Sequence, residues 1–263
     1  MSFPPLKKSL DRGTPFRAAL LAIGLVLGPA PTAAAPDAHE IVKQAWEHWR
    51  GLSSYSEISM TIHRPDWERT MSMRIWTEGQ KRSLVRVAAP KKDAGNGTLL
   101  IDNSMWSYSP KVNRIIKIPS SMMNQSWMGS DFTNNDISKS DSILDKYDHE
   151  LVEQYESEGK TVYVVESVPH EDAPVVWGKE VVHIREDHIV IRHEFVDQGG
   201  ELVKTLSTLE VADRGGRTVA ARQRMQKSGA DGEWTEVNVS KAEYDVEMDP
   251  KLFTRANLRN PRE

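Results

Sequence analysis

The sequence predicts a mainly β, α+β fold, in which about eleven antiparallel strands curl into an incomplete barrel behind an N-terminal helix. Three observations predict it. Beyond residue 52 apolar and polar residues alternate in short runs, the period of a strand with one buried face. Turn dipeptides separate those runs: Asn96-Gly97, Glu186-Asp187, Gly199-Gly200, Gly215-Gly216 and Asp231-Gly232. Only one long segment has helical spacing instead. Consecutive strands joined by short turns pair antiparallel, and so many of them curl into a barrel or deep half-barrel.

The chain opens with Lys7, Lys8, Arg12 and Arg17 against a single Asp11, followed by the uncharged run Ala18 to Leu27 and the small-residue stretch "TAAAP". Basic, apolar and small-residue regions in that order are the pattern of a secretory signal peptide over residues 1–34, cut after Ala34. The apolar run of about ten residues is shorter than the roughly 20 that span a bilayer. Residues 35–263 then form a single domain destined for the periplasm. "DAHEIVKQAWEHWRG" follows, with Asp37 and Glu40 at capping-box spacing, Gly51 as a stop, and Ile41, Val42, Ala45, Trp46 and Trp49 on one apolar face. Next come "EISMTIH" and "TMSMRIW", and later "KTVYVVESV", "GKEVVHIR", "HIVIRHEFV", "ELVKTLSTLEV", "RTVAARQRM" and "WTEVNVSKAEYDV", all of period two.

Composition narrows the function. The chain has no Cys, hence no disulfide and no thiol to carry a lipid anchor. Without residues 1–34, 30 Lys and Arg remain against 37 Asp and Glu, a formal charge of −7. That balance argues against nucleic acid, which needs a basic face. Inward positions use Ile, Val and repeatedly Met: Ile58, Met60, Ile62, Met71, Met73, Ile75 and Met225. One amphipathic helix is little cover for so large a sheet. Either these side chains fill an ordinary core, or they line a cavity whose occupant varies, which flexible Met side chains suit.

Two stretches carry a family likeness. "MWSYSPKVNRIIKIP" holds Trp106, Tyr108, Pro110 and Arg114; "MMNQSWMGSDFTNNDIS" holds Met128, Gly129, Ser130, Asp131, Phe132 and Asp136. Together with the late "DVEMDPKLFT" they resemble the outer-membrane lipoprotein-sorting protein family of Gram-negative bacteria, nearest to LolA-like members associated with lipid-exporting pumps. The resemblance runs from about Pro36 to Arg259. It implies a LolA/LolB-like incomplete barrel with short helices plugging an apolar cavity. It also implies a periplasmic carrier of acyl chains, from a lipoprotein or a lipid, exchanging cargo with an inner-membrane transporter and touching membranes only transiently.

Physically, Thr133 and Asp136 again have capping-box spacing, with Phe132 and Ile137 at staple positions, so "FTNNDI" begins a short helix that Gly129 lets the chain approach sharply. Met122, Met123, Trp127 and Met128 precede it and can dip into the barrel mouth as a lid that cargo displaces, or as a permanent plug. The candidate cavity and lid residues are therefore Met60, Ile62, Met71, Met73, Ile75, Trp106, Met122, Met123, Trp127, Met128 and Phe132. Lys91, Lys92, Lys111 and Arg114 are basic spots for partner docking, or simply solvated turns.

An enzyme is not expected, and no catalytic residue, metal site or cofactor is assigned. No nucleophile elbow, P-loop or dinucleotide fingerprint occurs. His183, His188 and His193 lie close in sequence, but a Glu186-Asp187 turn sets His183 opposite Val190 and His193 opposite Glu180, so they do not converge. The acidic run Asp131, Asp136, Asp141, Asp145 lacks the calcium-loop pattern. The expected function is a periplasmic carrier; the alternative is a non-catalytic adaptor of a membrane lipid-export complex with a packed barrel.

Overall fold

Asp37 starts the first helix, α1 (Ala38–Arg50), by accepting the backbone N–H groups of His39 and Glu40 at 2.9 and 3.4 Å. Gly51, at φ 65°, ends it. Replacing Asp37 by Ala leaves both donors to water and is expected to cost about 1 kcal/mol, read as a shift of the urea midpoint. These positions come from a computed structural model, which describes residues 36–261 apart from 139 and 174. The leader expected over residues 1–34 lies outside the described residues. Ile41, Val42, Ala45 and Trp46 are buried as their spacing predicts, whereas Trp49 is half exposed with the Arg50 guanidinium 5.4 Å from its ring.

Among the described residues thirteen strands form one antiparallel sheet: β1 Ser53–Arg64, β2 Trp67–Glu78, β3 Arg82–Ala89, β4 Gly97–Ile101, β5 Ser104–Ser109, β6 Arg114–Lys117, β7 Tyr147–Ser157, β8 Lys160–Pro169, β9 Lys179–Arg185, β10 Val190–Val196, β11 Leu202–Arg214, β12 Arg217–Lys227 and β13 Trp234–Tyr244. The expectation was about eleven. Strand order is β6-β5-β4-β3-β2-β1-β13-β12-β11-β10-β9-β8-β7, so the sheet stays unclosed, with β6 and β7 at its two ends. Those two strands are consecutive in sequence. The chain between them, residues 118–146, must therefore pass from one edge of the sheet to the other. It carries the short helices α2 (Asn134–Ser138) and α3 (Ser142–Asp145).

Register shows which side chains share a face. Met60 pairs with Met71 and Val237, Met225 with Thr235 and Leu206, Lys204 with Phe195, and Phe195 with Glu180. All of these lie on one face, termed inner, because directly opposed residues point the same way. α1 and α3 cover that face at β7–β9, packing Val42, Ala45, Trp46, Ile143 and Leu144 on Val165, Val182 and Ile184. Over β1–β5 it carries the Met-rich cluster of Ile58, Met60, Ile62, Met71, Met73, Val85, Val87, Leu100 and Met105. The outer face of β3–β5 is covered by the C-terminal 3₁₀ turn Pro250–Phe253 and α4 (Arg255–Arg259), whose Phe253 and Leu258 pack on Leu84, Leu99 and Tyr108. Among the described residues no helix is long and apolar enough to cross a membrane.

Candidate functional site

The segment 118–138 lies on the Met-rich half of the inner face. Its centre is Trp127, 6% exposed, packed in the cluster of Met60, Met71 and Met105, with its indole N–H donating to Thr98 Oγ1 at 3.0 Å. Around Trp127 the chain folds on itself: Trp127 N donates to the Phe132 carbonyl, Asn134 N to that of Gln125, and Asn135 N to that of Met123. Met128 and Gly129 turn the chain through the left-handed region, at φ 53° and 81°. Only Gly adopts that region freely, so Met128 holds a costly conformation.

Asp131 and Asp136 bind this segment to the sheet. Asp131, buried, takes a bidentate pair from Arg64 at 3.0 and 3.1 Å and the hydroxyl of Thr235 at 2.7 Å, while its own N–H donates to Thr235 Oγ1. Asp136 does two tasks. It closes the capping box, accepting Thr133 N at 2.6 Å while its own N–H donates to Thr133 Oγ1 at 3.1 Å. It also pairs with the Lys204 ammonium, both side chains nearly sealed from water. Burial pulls the Lys204 ammonium below its usual range, with Asp136 opposing that fall. Trp177 and Phe195 rings flank the cation at 5.0 and 4.9 Å.

Lys204 belongs to a buried polar patch. Glu180 accepts from the Tyr147 hydroxyl at 2.5 Å and bonds His193 Nε2 at 2.6 Å. Burial, reinforced by Glu180, raises the Tyr147 phenol far above its ordinary value. His183 is elsewhere, on the outer face beside the Tyr155 hydroxyl, and His188 is in the turn beside His48. The β9–β10 register differs from the expected one: His183 opposes Arg192 and Phe195 opposes Glu180. The turn is longer than two residues, bonding Arg185 N to the Ile189 carbonyl, and a bulge follows at Val190.

Half-burial lowers the His149 and His183 imidazoles, desolvation being the first cause in each; His39 also lowers His149, and Glu194 partly opposes the fall at His183. A histidine depressed in the folded state takes its proton more readily unfolded. Stability from these two is thus complete above the unfolded imidazole range near 6.5 and lost as pH falls through it towards the lower folded values. The urea midpoint is expected to fall over that interval, and less steeply in His149→Gln.

Between the sheet and segment 118–134 lies a recess of about 480 Å³, open to solvent on one side. Met71, Val87, Met105, Ile118, Met122, Trp127 and Met128 form its apolar walls; Asn96, Thr98, Ser107, Gln125, Ser126 and Asn134 supply polar ones. Arg69 stands in it with Asp93 chelating its guanidinium at 2.9 and 3.2 Å. Four candidate residues therefore meet at the recess: Met71, Met122, Trp127 and Met128. Met60, Ile62 and Met73 sit behind it, with exposures of 0–1%, and Ile75 is half buried against the same cluster. Met123 and Phe132 are half buried in the loop itself.

Trp106 is placed differently from the expectation. It faces outward with Tyr108 beside the C-terminal residues, under the Lys117 ammonium at 5.7 Å. Lys91 and Lys92 are exposed between β3 and β4, and Lys111 and Arg114 at the β5–β6 turn. Arg64 and Lys204 were not singled out from sequence; His193 and Glu180 were named only as residues facing each other across the β9–β10 turn. For Lys204 a signal existed, since counting by two from Leu206 places it inward.

A second recess, about 500 Å³, lies at the end of α1 among the ion pairs Arg50–Asp141 and Arg217–Asp245. Burial raises the Asp141 carboxyl against the opposing charge of Arg50.

A DUF1329 family protein from Desulfovibrio piger superposes with a TM-score of 0.77 at 24% identity, over 84% of this chain and 97% of that one. A protein described as an outer membrane lipoprotein-sorting domain, from Vibrio parahaemolyticus, gives 0.73 at 22%, over 84% and 98%. A LolA superfamily protein from Nitrosomonas europaea gives 0.70 at 20%, over 84% and 99%. No curated protein sequence matches. A family model described as "Uncharacterized protein" matches residues 79–260, more than half of the chain. The chain belongs to the family of that model, and it shares its fold with these three structures, a LolA superfamily protein among them.

Proposed function

We propose that the protein is a carrier, without chemistry of its own, that holds an acyl chain in the recess beneath residues 118–134. The observation that carries this reading is the recess itself: Met71, Met105, Met122 and Met128 around Trp127 form the apolar part of its lining, on the inner face of an unclosed sheet. Its size falls within the range of about 300–1,000 Å³ typical of ligand sites. Hydrophobic burial of about 0.8 kcal/mol per methylene gives a long chain a firm hold. The name of the Vibrio parahaemolyticus neighbour supports a link to lipoprotein sorting. In this reading the leader directs the chain to the periplasm, where it exchanges acylated lipoprotein or lipid with an inner-membrane transporter and delivers it towards the outer membrane.

The test is binding of a hydrophobic fluorescent probe to purified protein and its displacement by lipid, followed by native mass spectrometry of protein recovered from its host. Displaceable binding and a co-purifying acylated species are expected. Protein that stays empty in both would overturn the carrier and favour a docking adaptor. The closed packing of Met60, Ile62 and Met73 is the feature that second reading rests on.

A further inference from the structure

We infer that the cargo is a single-chain amphiphile with a small, uncharged polar head, rather than an anchor with two or three chains. The inference rests on the carrier reading and names its substrate class. Three observations support it.

The first is volume. A 150 Å³ protein cavity accommodates benzene, about 25 Å³ per carbon, so the recess corresponds to about nineteen carbon-sized groups. One chain of about twelve carbons and a glycerol-sized head fill it. No space for a second chain lies behind it, where Met60, Ile62 and Met73 pack against the walls Met71 and Met105 in one closed cluster.

The second is the rigidity of the walls. On one side is a hydrogen-bonded ladder from β2 to β5. On the other, the far arm of the covering loop is held by Asp131 on Arg64 and Thr235 and by Asp136 on Lys204. Enlarging the recess for a second chain by lifting that arm separates both ion pairs and leaves Asp131, Asp136 and Lys204 buried without their partners, Arg64 keeping Glu233. Sliding one chain past the half-buried Met122 separates none.

The third is the polarity of the lining. Its cation, Arg69, is already neutralised by Asp93 in a two-point pair. An anionic head displaces Asp93, which is itself buried, and leaves that carboxylate unpaired. A hydroxyl-bearing head instead meets the neutral groups of Asn96, Ser107 and Gln125 and disturbs no charge.

The experiment is native mass spectrometry and competition titration of the full mature chain with four probes: a series of monoacylglycerols from C10 to C22, a C16 fatty acid, a diacyl phosphatidylcholine and a tripalmitoyl lipopeptide. Expected are one monoacylglycerol per protein, affinity rising about fourfold per methylene and levelling off at about C12–C14, and weaker binding of the fatty acid. Met122→Trp, in a half-buried loop position, should move the plateau to shorter chains without unfolding the protein. Equal or tighter binding of the fatty acid overturns the uncharged head. Binding of the diacyl lipid or lipopeptide in preference to single chains, or a plateau that Met122→Trp leaves in place, overturns the single-chain assignment while the carrier stands. Failure of all four probes overturns the carrier itself.

Discussion

Lys204→Met is expected to lower the unfolding free energy by about 3–5 kcal/mol, the cost of leaving one member of a buried ion pair without its partner. The remaining carboxylate, Asp136, would keep the Thr133 N–H as a donor and lose the only cation paired with it among the described residues. Both side chains are nearly sealed from water, so solvent screening takes little from that figure. Urea titrations of wild type and variant measure the loss directly. Lys204→Met combined with Asp136→Asn should recover part of the loss, since Asn still accepts the Thr133 N–H. A single-variant loss under about 1 kcal/mol would mean that the pair is solvated and that α2 is free to move.

Trp127→Ala is expected to cost a similar amount, about 3–5 kcal/mol, for a different reason. The indole is packed among Met60, Met71 and Met105, and its removal opens a cavity continuous with the recess. Stability should fall while the capacity for bulky probes rises, a combination that loss of an ion pair does not produce. Trp127→Phe separates the contributions: it keeps most of the ring and removes the bond to Thr98, worth about 1 kcal/mol. Urea midpoints paired with titration of a diacyl lipid give both quantities. Loss of stability with no gain in capacity would show that the loop collapses into the space.

Elements with one wet and one dry face were legible from sequence, and so was the capping at Asp37 and Thr133. Strands β3 to β7 were not among the named runs, and two of them hid for opposite reasons. β4 is buried on both sides, so "GTLLI" shows no alternation; β7 is an edge strand, largely exposed, and "YDHELVEQYES" reads as polar. Met71, Met122, Trp127 and Met128 could be grouped because the turn chemistry around Gly129 fixes where the loop points. Trp106 could not be placed, since its environment comes from Phe253 and Leu258, about 150 residues further on. Lys204 was passed over because a Lys in a strand normally faces water, and its partner lies in the crossing loop.

The pairing of β1 with β13, Ser54 opposite Tyr244, has a consequence for how the chain reaches this state. Strands β1 to β6 form one meander of neighbours in sequence, and β7 to β13 form another, so each can zip up from its own hairpins. The seam between them joins the first strand to the last. Closing it brings together residues 190 positions apart, an entropic toll that local hairpins avoid. Folding is then expected to end, not begin, at the centre of the sheet, with the inner face and its recess taking shape only when the final strand is seated.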